Sequence, residues 1–267
     1  MGLRLHGRRA LVTGASGGIG SAIARGLHRR GARLVLTGRR ADALDALAAE
    51  LGPGIETLVA DLAEPAAAGE LAERAGAVDV LVANAALPAS GALDSFSPAE
   101  IDRAVDVNLR APMQLARSLA DGMVERGAGH LVFVSSFSGK VATAGSCVYS
   151  AAKFGIRGFA LGAREDLRGT GVGVTTIFPG FVSASGMFAD AGVKLPRGVA
   201  MRTSDQVADA VVKGIEGDRA EVDVAPITLR AGAWAAGVTP ALVAAINRRL
   251  GSERVASALA EAQRGRR

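Results

Sequence analysis

The sequence predicts a doubly wound α/β fold, a parallel sheet with helices on both faces. Three observations predict it. Short runs rich in valine, leucine and isoleucine recur along the chain, longer segments of helical periodicity stand between them, and 49% of the 267 residues are hydrophobic against 21% charged. Near-continuous apolar strands suit a sheet covered on both sides, and the helix between two strands is the crossover that parallel pairing needs. Length and apolar fraction together fit one domain with a substantial core and exclude a disordered or fibrous chain.

The predicted strands are 10–13, 33–37, 56–60, 78–82, 130–134 and 172–178, with a seventh candidate at 220–224. After the second, Leu44, Leu47 and Leu51 repeat at helical spacing. Ser97-Pro98-Ala99-Glu100 combines an N-cap, a proline at the first helical position and a capping-box glutamate, and so starts a long helix to about Arg126. Thr203-Ser204-Asp205-Gln206 repeats that logic ahead of Val207 to Ile215. With no internal repeat and no low-complexity linker, residues 1–225 read as one domain and 226–267 as its helical C-terminal extension.

Several function classes drop out on composition. The single cysteine, Cys147, excludes an intrachain disulfide, and three scattered histidines, His6, His28 and His130, form no zinc-ligand cluster, so no metal is expected. The net charge is +5, yet arginines alternate with acids, as in Arg164-Glu165-Asp166-Leu167-Arg168, and only Arg264-Gly265-Arg266-Arg267 is uniformly basic. Nucleic acid is therefore not an expected partner. The amino end lacks the apolar stretch and cleavage site of a signal peptide, which makes the cytoplasm the expected compartment. The longest uncharged run, 231–247, is broken by Gly232, Gly237 and Pro240 and falls short of the roughly 20 apolar residues of a spanning helix.

Directly after the first strand stands Thr13-Gly14-Ala15-Ser16-Gly17-Gly18-Ile19-Gly20, followed by a helical pattern. Glycines there let the backbone turn tightly and approach a pyrophosphate, whose charge then sits at the helix amino end. Gly14, Ser16, Gly18, Ile19 and Gly20 are the candidate contacts, although a glycine-rich turn also arises for backbone reasons alone. The second strand ends in Thr37-Gly38-Arg39-Arg40, where an NAD enzyme carries an acid for the ribose 2′-hydroxyl. Two guanidiniums and no carboxylate favour NADP(H) over NAD(H), with Arg39 first and Arg40 second; the bland reading is two solvated arginines opening the next helix. Asp61 and Leu62 follow the third strand and Asn84 and Ala85 the fourth, at the edge where open α/β sheets bind ligands, and Asp61 or Asn84 could equally cap a turn.

Tyr149 is the only tyrosine, and Lys153 follows it by four residues, on the same face of a helix. A nearby ammonium stabilises a phenolate, and a downward shift of about two units corresponds to roughly 2.7 kcal/mol. The same spacing also occurs by accident on helix surfaces. The fifth strand ends in Ser135-Ser136, which puts Ser136 where it could bond and orient a substrate oxygen; Ser135 reads as a strand-end hydroxyl.

Taken together, these residues resemble the short-chain dehydrogenase/reductase family. The likeness rests on Thr13-Gly14-x-x-x-Gly18-x-Gly20, Asp61-Leu62, Asn84-Ala85-Ala86, Asn108, Ser136, Tyr149-x-x-x-Lys153 and Pro179-Gly180, in the family's order over about residues 5 to 225. It implies a Rossmann-type sheet of about seven strands, NAD(P)-dependent alcohol oxidation or carbonyl reduction, and a homodimer or homotetramer. By resemblance Tyr149 is the general acid-base, Lys153 its electrostatic partner and ribose ligand, and Ser136 the carbonyl anchor. Asn108 matches an asparagine that supports a water-mediated proton relay, although the residues alone read it as a helix-surface side chain. Asp61 matches an adenine contact, Asn84 a residue fixing the central strand, and Val182, after Pro179 and Gly180, a neighbour of the nicotinamide. Two departures stand out: Ala86 replaces a common glycine, and Ala184 replaces a threonine that bonds the carboxamide, with Ser183 and Ser185 as candidate substitutes.

The glycine-punctuated segment 183–203 matches a mobile substrate lid in the family. Phe137, Phe181, Met187, Phe188 and Leu195 would line an apolar pocket for a lipid-like, steroid-like or aromatic carbonyl compound, or simply bury the loop. Cys147 either faces substrate or is a small buried filler, the reading its size favours. Trp234, Leu242, Ile246, Leu250, Val255 and Leu259 mark two amphipathic helices for core packing or a subunit interface, with weak membrane-surface contact as the lesser reading. The function expected is an NADPH-dependent carbonyl reductase or alcohol dehydrogenase. Its rivals are a 3-oxoacyl thioester reductase and a catalytically silent NADP(H)-binding scaffold.

Overall fold

The computed structural model describes residues 2–183, 200–241, 243, 245, 252–263 and 265. Seven parallel strands form one sheet: β1 (Arg9–Thr13), β2 (Arg33–Gly38), β3 (Glu56–Val59), β4 (Val80–Ala83), β5 (Gly129–Val134), β6 (Val172–Pro179) and β7 (Glu221–Val224). Their order is β3-β2-β1-β4-β5-β6-β7, so all seven predicted strands are present and the seventh candidate is real. Between β1 and β4 the chain reverses the direction in which it adds strands, which opens a crevice at the carboxyl edge.

Nine helices are described: α1 (Gly18–Arg29), α2 (Ala41–Leu51), α3 (Ala67–Ala75), α4 (Pro98–Val105), α5 (Ala111–Glu125), α6 (Cys147–Asp166), α7 (Ser204–Glu216), α8 (Ile227–Val238) and α9 (Ser252–Gln263). Alternation along each strand divides the core. Val12, Leu36, Val82 and Val132 bury one way, against Ile23, Leu27, Leu44 and Val211 of α1, α2 and α7. Leu11, Val35, Leu81 and Leu131 bury the other way, against Leu71, Leu115 and Ile156 of α3, α5 and α6. Helices cover both faces of the central strands, which is why those strands lack polar alternation.

Both predicted capping boxes form. The Ser97 hydroxyl accepts the Glu100 amide and the Glu100 carboxylate accepts the Ser97 amide, with Pro98 in the first turn; Thr203 and Gln206 do the same for α7. The long helix from Ser97 is one helical run with a π turn at Asp106–Arg110 between α4 and α5. There the Ala111 amide reaches back five residues to the Asp106 carbonyl. Pro112 belongs to this local logic, because it has no N–H to give the Asn108 carbonyl four residues earlier. No helix among the described residues is long and apolar enough to cross a membrane.

Candidate active site

At the crevice the first turn is built by close backbone approach. Gly14 has φ of 64°, and a Cβ there would lie 2.8 Å from the Ala85 Cα; a Cβ on Gly20 would lie 2.1 Å from the Gly14 carbonyl oxygen. Side chains cannot enter either place. Asn84 pins this turn to β4: its Nδ2 donates to the Thr13 carbonyl at 2.9 Å and the Gly14 carbonyl at 3.3 Å, while the Thr13 Oγ1 accepts the Asn84 and Ala85 amides at 3.0 and 2.9 Å. The structure thus makes Asn84 a strut between strands. Helix α1 begins after Gly17 with no side-chain cap and no acid in its first turn, which leaves its positive end uncompensated by the chain itself.

The two arginines after β2 separate clearly. Arg40 donates from Nη2 to the Ser16 carbonyl at 2.7 Å and stands at the N-cap of α2. Arg39 is exposed and has no hydrogen bond or ion pair among the described residues. Ser16 itself lies against the end of β2, 2.9 Å from where a Gly38 Cβ would stand. Asp61 caps its own turn through the Ala63 amide at 3.1 Å and meets Arg103 at 3.4 Å, so in this state its carboxylate is engaged as the turn reading has it. Leu62 beside it is buried.

On the other side of the crevice, α6 carries Tyr149 and Lys153, and the turn after β5 carries Ser136. Lys153 is 2% exposed; its Nζ donates to the Val134 carbonyl at 3.1 Å and lies 5.6 Å from the centre of the Tyr149 ring. Ser136 accepts the Ser138 amide at 3.1 Å and stands near enough to the Tyr149 phenol to favour its charged form. Burial pushes the phenol up to about 12, and the nearby Ser136 hydroxyl only partly offsets it. The expected lowering of the Tyr149 pKa by Lys153 is therefore not what this geometry produces. The reason is that burial acts on both groups: it pushes the Lys153 ammonium down to about 8, and Nζ spends a proton on Val134.

Asn108 is 1% exposed, which corrects the helix-surface reading of its side chain. Its Oδ1 accepts the Leu87 amide at 2.9 Å and its Nδ2 donates to the Leu87 carbonyl at 3.0 Å. The side chain is committed to holding the segment after β4. Pro112 removes the usual i+4 donor of the Asn108 backbone carbonyl.

The β6 end supplies the last side. Gly180 donates its amide to the Val224 carbonyl at 3.0 Å, and Val182, 5% exposed, bridges to Arg202. Ser183 donates its hydroxyl to the Arg202 carbonyl at 3.3 Å. Phe137 and Phe181 are half-buried. Met187, Phe188, Ser185, Ala184 and Leu195 lie outside the described residues, as do Leu242, Ile246, Leu250 and the side chain of Val255. Cys147 is exposed at the start of α6, not the buried filler that its size suggested. Val148 and Ser150 of the same turn are buried, so the core contact there is made by the neighbouring face and Cys147 points away from it.

Two supports escaped the sequence reading. Ser135 is more than a strand-end hydroxyl: it donates to the Lys153 carbonyl at 3.1 Å, tying the β5 turn to α6. Lys140, four residues after Ser136, donates from Nζ to Asp223 at 2.6 Å, meets Glu221 at 3.1 Å and sits 4.1 Å over the Phe178 ring. Arg157 of α6 donates to the same Glu221 at 2.6 Å. Burial alone would raise the Glu221 carboxyl, but the Arg157 and Lys140 hydrogen bonds hold it below the usual carboxylate range. One ionic cluster thus joins the Ser136 turn, α6, the end of β6 and β7. The available signal was Glu221-x-Asp223, two acids on one face of a predicted strand.

A helix amino end left free for an anion, across a sheet edge from a phenol and an ammonium, is the arrangement of a nucleotide-dependent oxidoreductase. The chain belongs to the short-chain dehydrogenase family, whose model matches residues 8–194. It is similar to the ketoacyl reductase HetN of a Nostoc species, 37% identical over 228 residues that cover 82% of this chain and 79% of that one. Among solved structures it resembles a short-chain dehydrogenase from Sphingobium yanoikuyae in complex with NADPH, at a TM-score of 0.75 and 30% identity, covering 81% of this chain and 87% of that one. A metagenomic short-chain oxidoreductase in complex with NADP superposes at 0.71, with 35% identity over 84% of this chain and 99% of that one. The chain is an enzyme of the family that works with a nicotinamide cofactor.

Proposed function

We propose that this enzyme uses NADP(H) to interconvert a carbonyl and a secondary alcohol on a small, apolar substrate, with Tyr149 as the proton donor and acceptor. The observation that carries the reading is the Tyr149 phenol near Ser136, with buried Lys153 5.6 Å from its ring centre, at the same carboxyl edge of the sheet as the uncapped α1. The residues fit the cofactor. The space that Gly14 and Gly20 keep free of Cβ atoms suits a pyrophosphate at the uncapped α1, and Arg39, with no partner among the described residues, suits a ribose 2′-phosphate. Gly18, Ile19, Leu62, Ala85, Pro179, Gly180 and Val182 line the same edge. When bound, the cofactor supplies or accepts a hydride at the substrate carbon.

The chain's own residues handle the oxygen and its proton. Ser136 Oγ donates to the carbonyl oxygen and fixes it beside the phenol. With a pKa near 12 the phenol bears its proton at neutral pH and gives it to that oxygen as negative charge grows there, which supports reduction as the direction served without further adjustment. Lys153 Nζ, held by Val134, donates toward the ribose hydroxyls and keeps a positive charge near the phenolate left behind. That proton is replaced from water at the Asn108 carbonyl, whose position the Leu87 hydrogen bonds define.

A 3-oxoacyl thioester is the second substrate reading, favoured by the name that the Nostoc relative carries. A silent scaffold is disfavoured because it needs no acid-base pair. The test is titration with NADPH and NADH, followed by cofactor fluorescence, on the wild type and Arg39→Ala. A lost charge-assisted contact worth about 1.5–3 kcal/mol predicts roughly 10- to 150-fold weaker NADPH binding and unchanged NADH binding. Equal affinity of the wild type for the two cofactors would remove the NADP(H) assignment. Initial rates with aryl ketones and with a 3-oxoacyl thioester then separate the two substrate readings.

A further inference from the structure

Glu221, the first residue of β7, is the carboxylate on which the segments carrying Ser136 and Tyr149 meet. The turn after β5 reaches it through Lys140, whose Nζ lies 3.1 Å from Oε2. Helix α6 reaches it through Arg157, which donates from Nε to Oε1 at 2.6 Å and from Nη2 to Oε2 at 3.2 Å. One oxygen thus receives both cations. Both also face the ring of Phe178, which is wholly buried, at 4.1 Å for Lys140 and 5.6 Å for Arg157. Lys140 has a second anchor on the same strand, Asp223 at 2.6 Å.

Little slack separates these anchors from the site. Ser136 caps a single helical turn, Phe137–Gly139, closed by the Gly139 amide on the Ser136 carbonyl at 2.8 Å and the Lys140 amide on the Phe137 carbonyl at 2.9 Å. On α6, Tyr149, Lys153 and Arg157 follow at four-residue intervals and share one face. Turn and helix are in direct contact: a Cβ on Gly139 would lie 2.6 Å from the Lys153 carbonyl oxygen and 2.7 Å from the Ser135 Oγ. A shift of Lys140 or Arg157 therefore carries Ser136 or Tyr149 with it. A desolvated ion pair adds little stability over a close-packed apolar contact, so stability alone is a poor reason for charges here. What a carboxylate shared by two cations adds is a fixed direction and distance between its donors. We propose that Glu221 is a positioning residue of the reaction, which bridges Lys140 and Arg157 and so sets the Ser136 hydroxyl in register with the Tyr149 phenol. Its consequence for rate rests on the acid-base role proposed above for Tyr149; its consequence for geometry does not.

Tyr149 is the only tyrosine, so the full chain labelled with carbon-13 at the tyrosine ζ carbon gives one resonance, which reports the surroundings of this phenol in the free protein. Ser136→Ala marks where that resonance falls once the neighbouring hydroxyl is gone. Glu221→Gln keeps the size of the side chain and removes the charge that both cations share, and Arg157→Leu opens the same bridge from its more exposed side should the first variant melt too low. Both should move the resonance toward the Ser136→Ala position. Both should also lower kcat for aryl ketone reduction about 10- to 100-fold, the effect of roughly an ångström of misplacement, while NADPH affinity stays within about threefold. Arg157→Lys, which keeps a cation within reach of Glu221, should restore most of that rate. In a Ser136→Ala background Glu221→Gln should cost less than about threefold, because the register it sets has already lost one member. A resonance that stays at the wild-type position in both Glu221→Gln and Arg157→Leu overturns the proposal, as does a rate loss equally large with and without the Ser136 hydroxyl. A wild type that reduces no ketone would instead remove the acid-base reading, and the resonance alone would then decide for or against Glu221.

Discussion

Replacing Lys140 by methionine keeps most of the unbranched side chain and removes its charge. In the folded protein Lys140 is 12% exposed, and Asp223 and Glu221, its partners at 2.6 and 3.1 Å, are 20% and 23% exposed. Removing one member of a buried ion pair costs about 3–5 kcal/mol, because its partner is left desolvated and unpaired. Residual exposure of both acids, the Arg157 bond that Glu221 retains and the Arg230 contact that Asp223 retains at 3.6 Å bring the expected loss to about 2–3 kcal/mol. For a chain of this size each kcal/mol moves the melting point about 2–4 °C, so Lys140→Met should melt roughly 5–10 °C lower. The assay is thermal unfolding at pH 7 followed by far-UV circular dichroism, with Asp223→Asn and the double variant completing the cycle. The double variant should recover most of the loss, because Asp223 no longer needs a cation. A single variant that melts within a degree or two of the wild type, or a cycle with no coupling, would refute the account of the cluster.

Tyr149→Phe should leave NADPH affinity within about threefold and lower carbonyl reduction by about 10²–10⁴, measured by initial rates at saturating cofactor. Gly20→Ala places a Cβ against backbone and should weaken nucleotide binding tenfold or more, whereas Gly158→Ala, in open space on α6, should raise stability by about 0.5–1 kcal/mol in urea titration. His130, buried and bonded to Thr175 at 2.8 Å, has its pKa pushed down to about 4 by burial, below the ordinary 6.5. The unfolded chain therefore takes up that proton first, and stability present above pH 6.5 is lost as pH falls toward 4, by about 3 kcal/mol in all. Urea midpoints at pH 7 and pH 4.5 should show a smaller acid loss for His130→Gln than for the wild type, and equal losses would contradict this assignment.

Local signals decided most of the fold. The seven apolar runs, the capping boxes at Ser97 and Thr203 and the glycine turn at Gly14 each depend on residues within a few positions of one another, and each formed where the sequence placed it. The misses are long-range. Lys140 finds Asp223 across 83 residues, and nothing near Lys140 announces an acid. Asn108 looks like a surface residue of an amphipathic helix until a π turn rotates it toward Leu87; Pro112 in the middle of that helix was the local trace of the change. The direction of the Tyr149 shift followed charge in the sequence and burial in the fold, and spacing carries no information about burial.

Strand order also sets the sequence of assembly. Once β4 has paired with β1, the sheet grows only outward, and β5, β6 and β7 join one after another at the same advancing edge. A parallel strand cannot pair until its crossover helix has been made, so on the ribosome each addition waits for the segment before it. Lys140 and Arg157 are synthesised long before Glu221 and Asp223, and a nascent chain ending ahead of β7 holds Ser136, Tyr149 and Lys153 with two unanswered cations beside them. Arrival of the last strand supplies both carboxylates at once, so the edge strand farthest from the glycine turn is also the one that completes the half of the molecule holding Ser136, Tyr149 and Lys153.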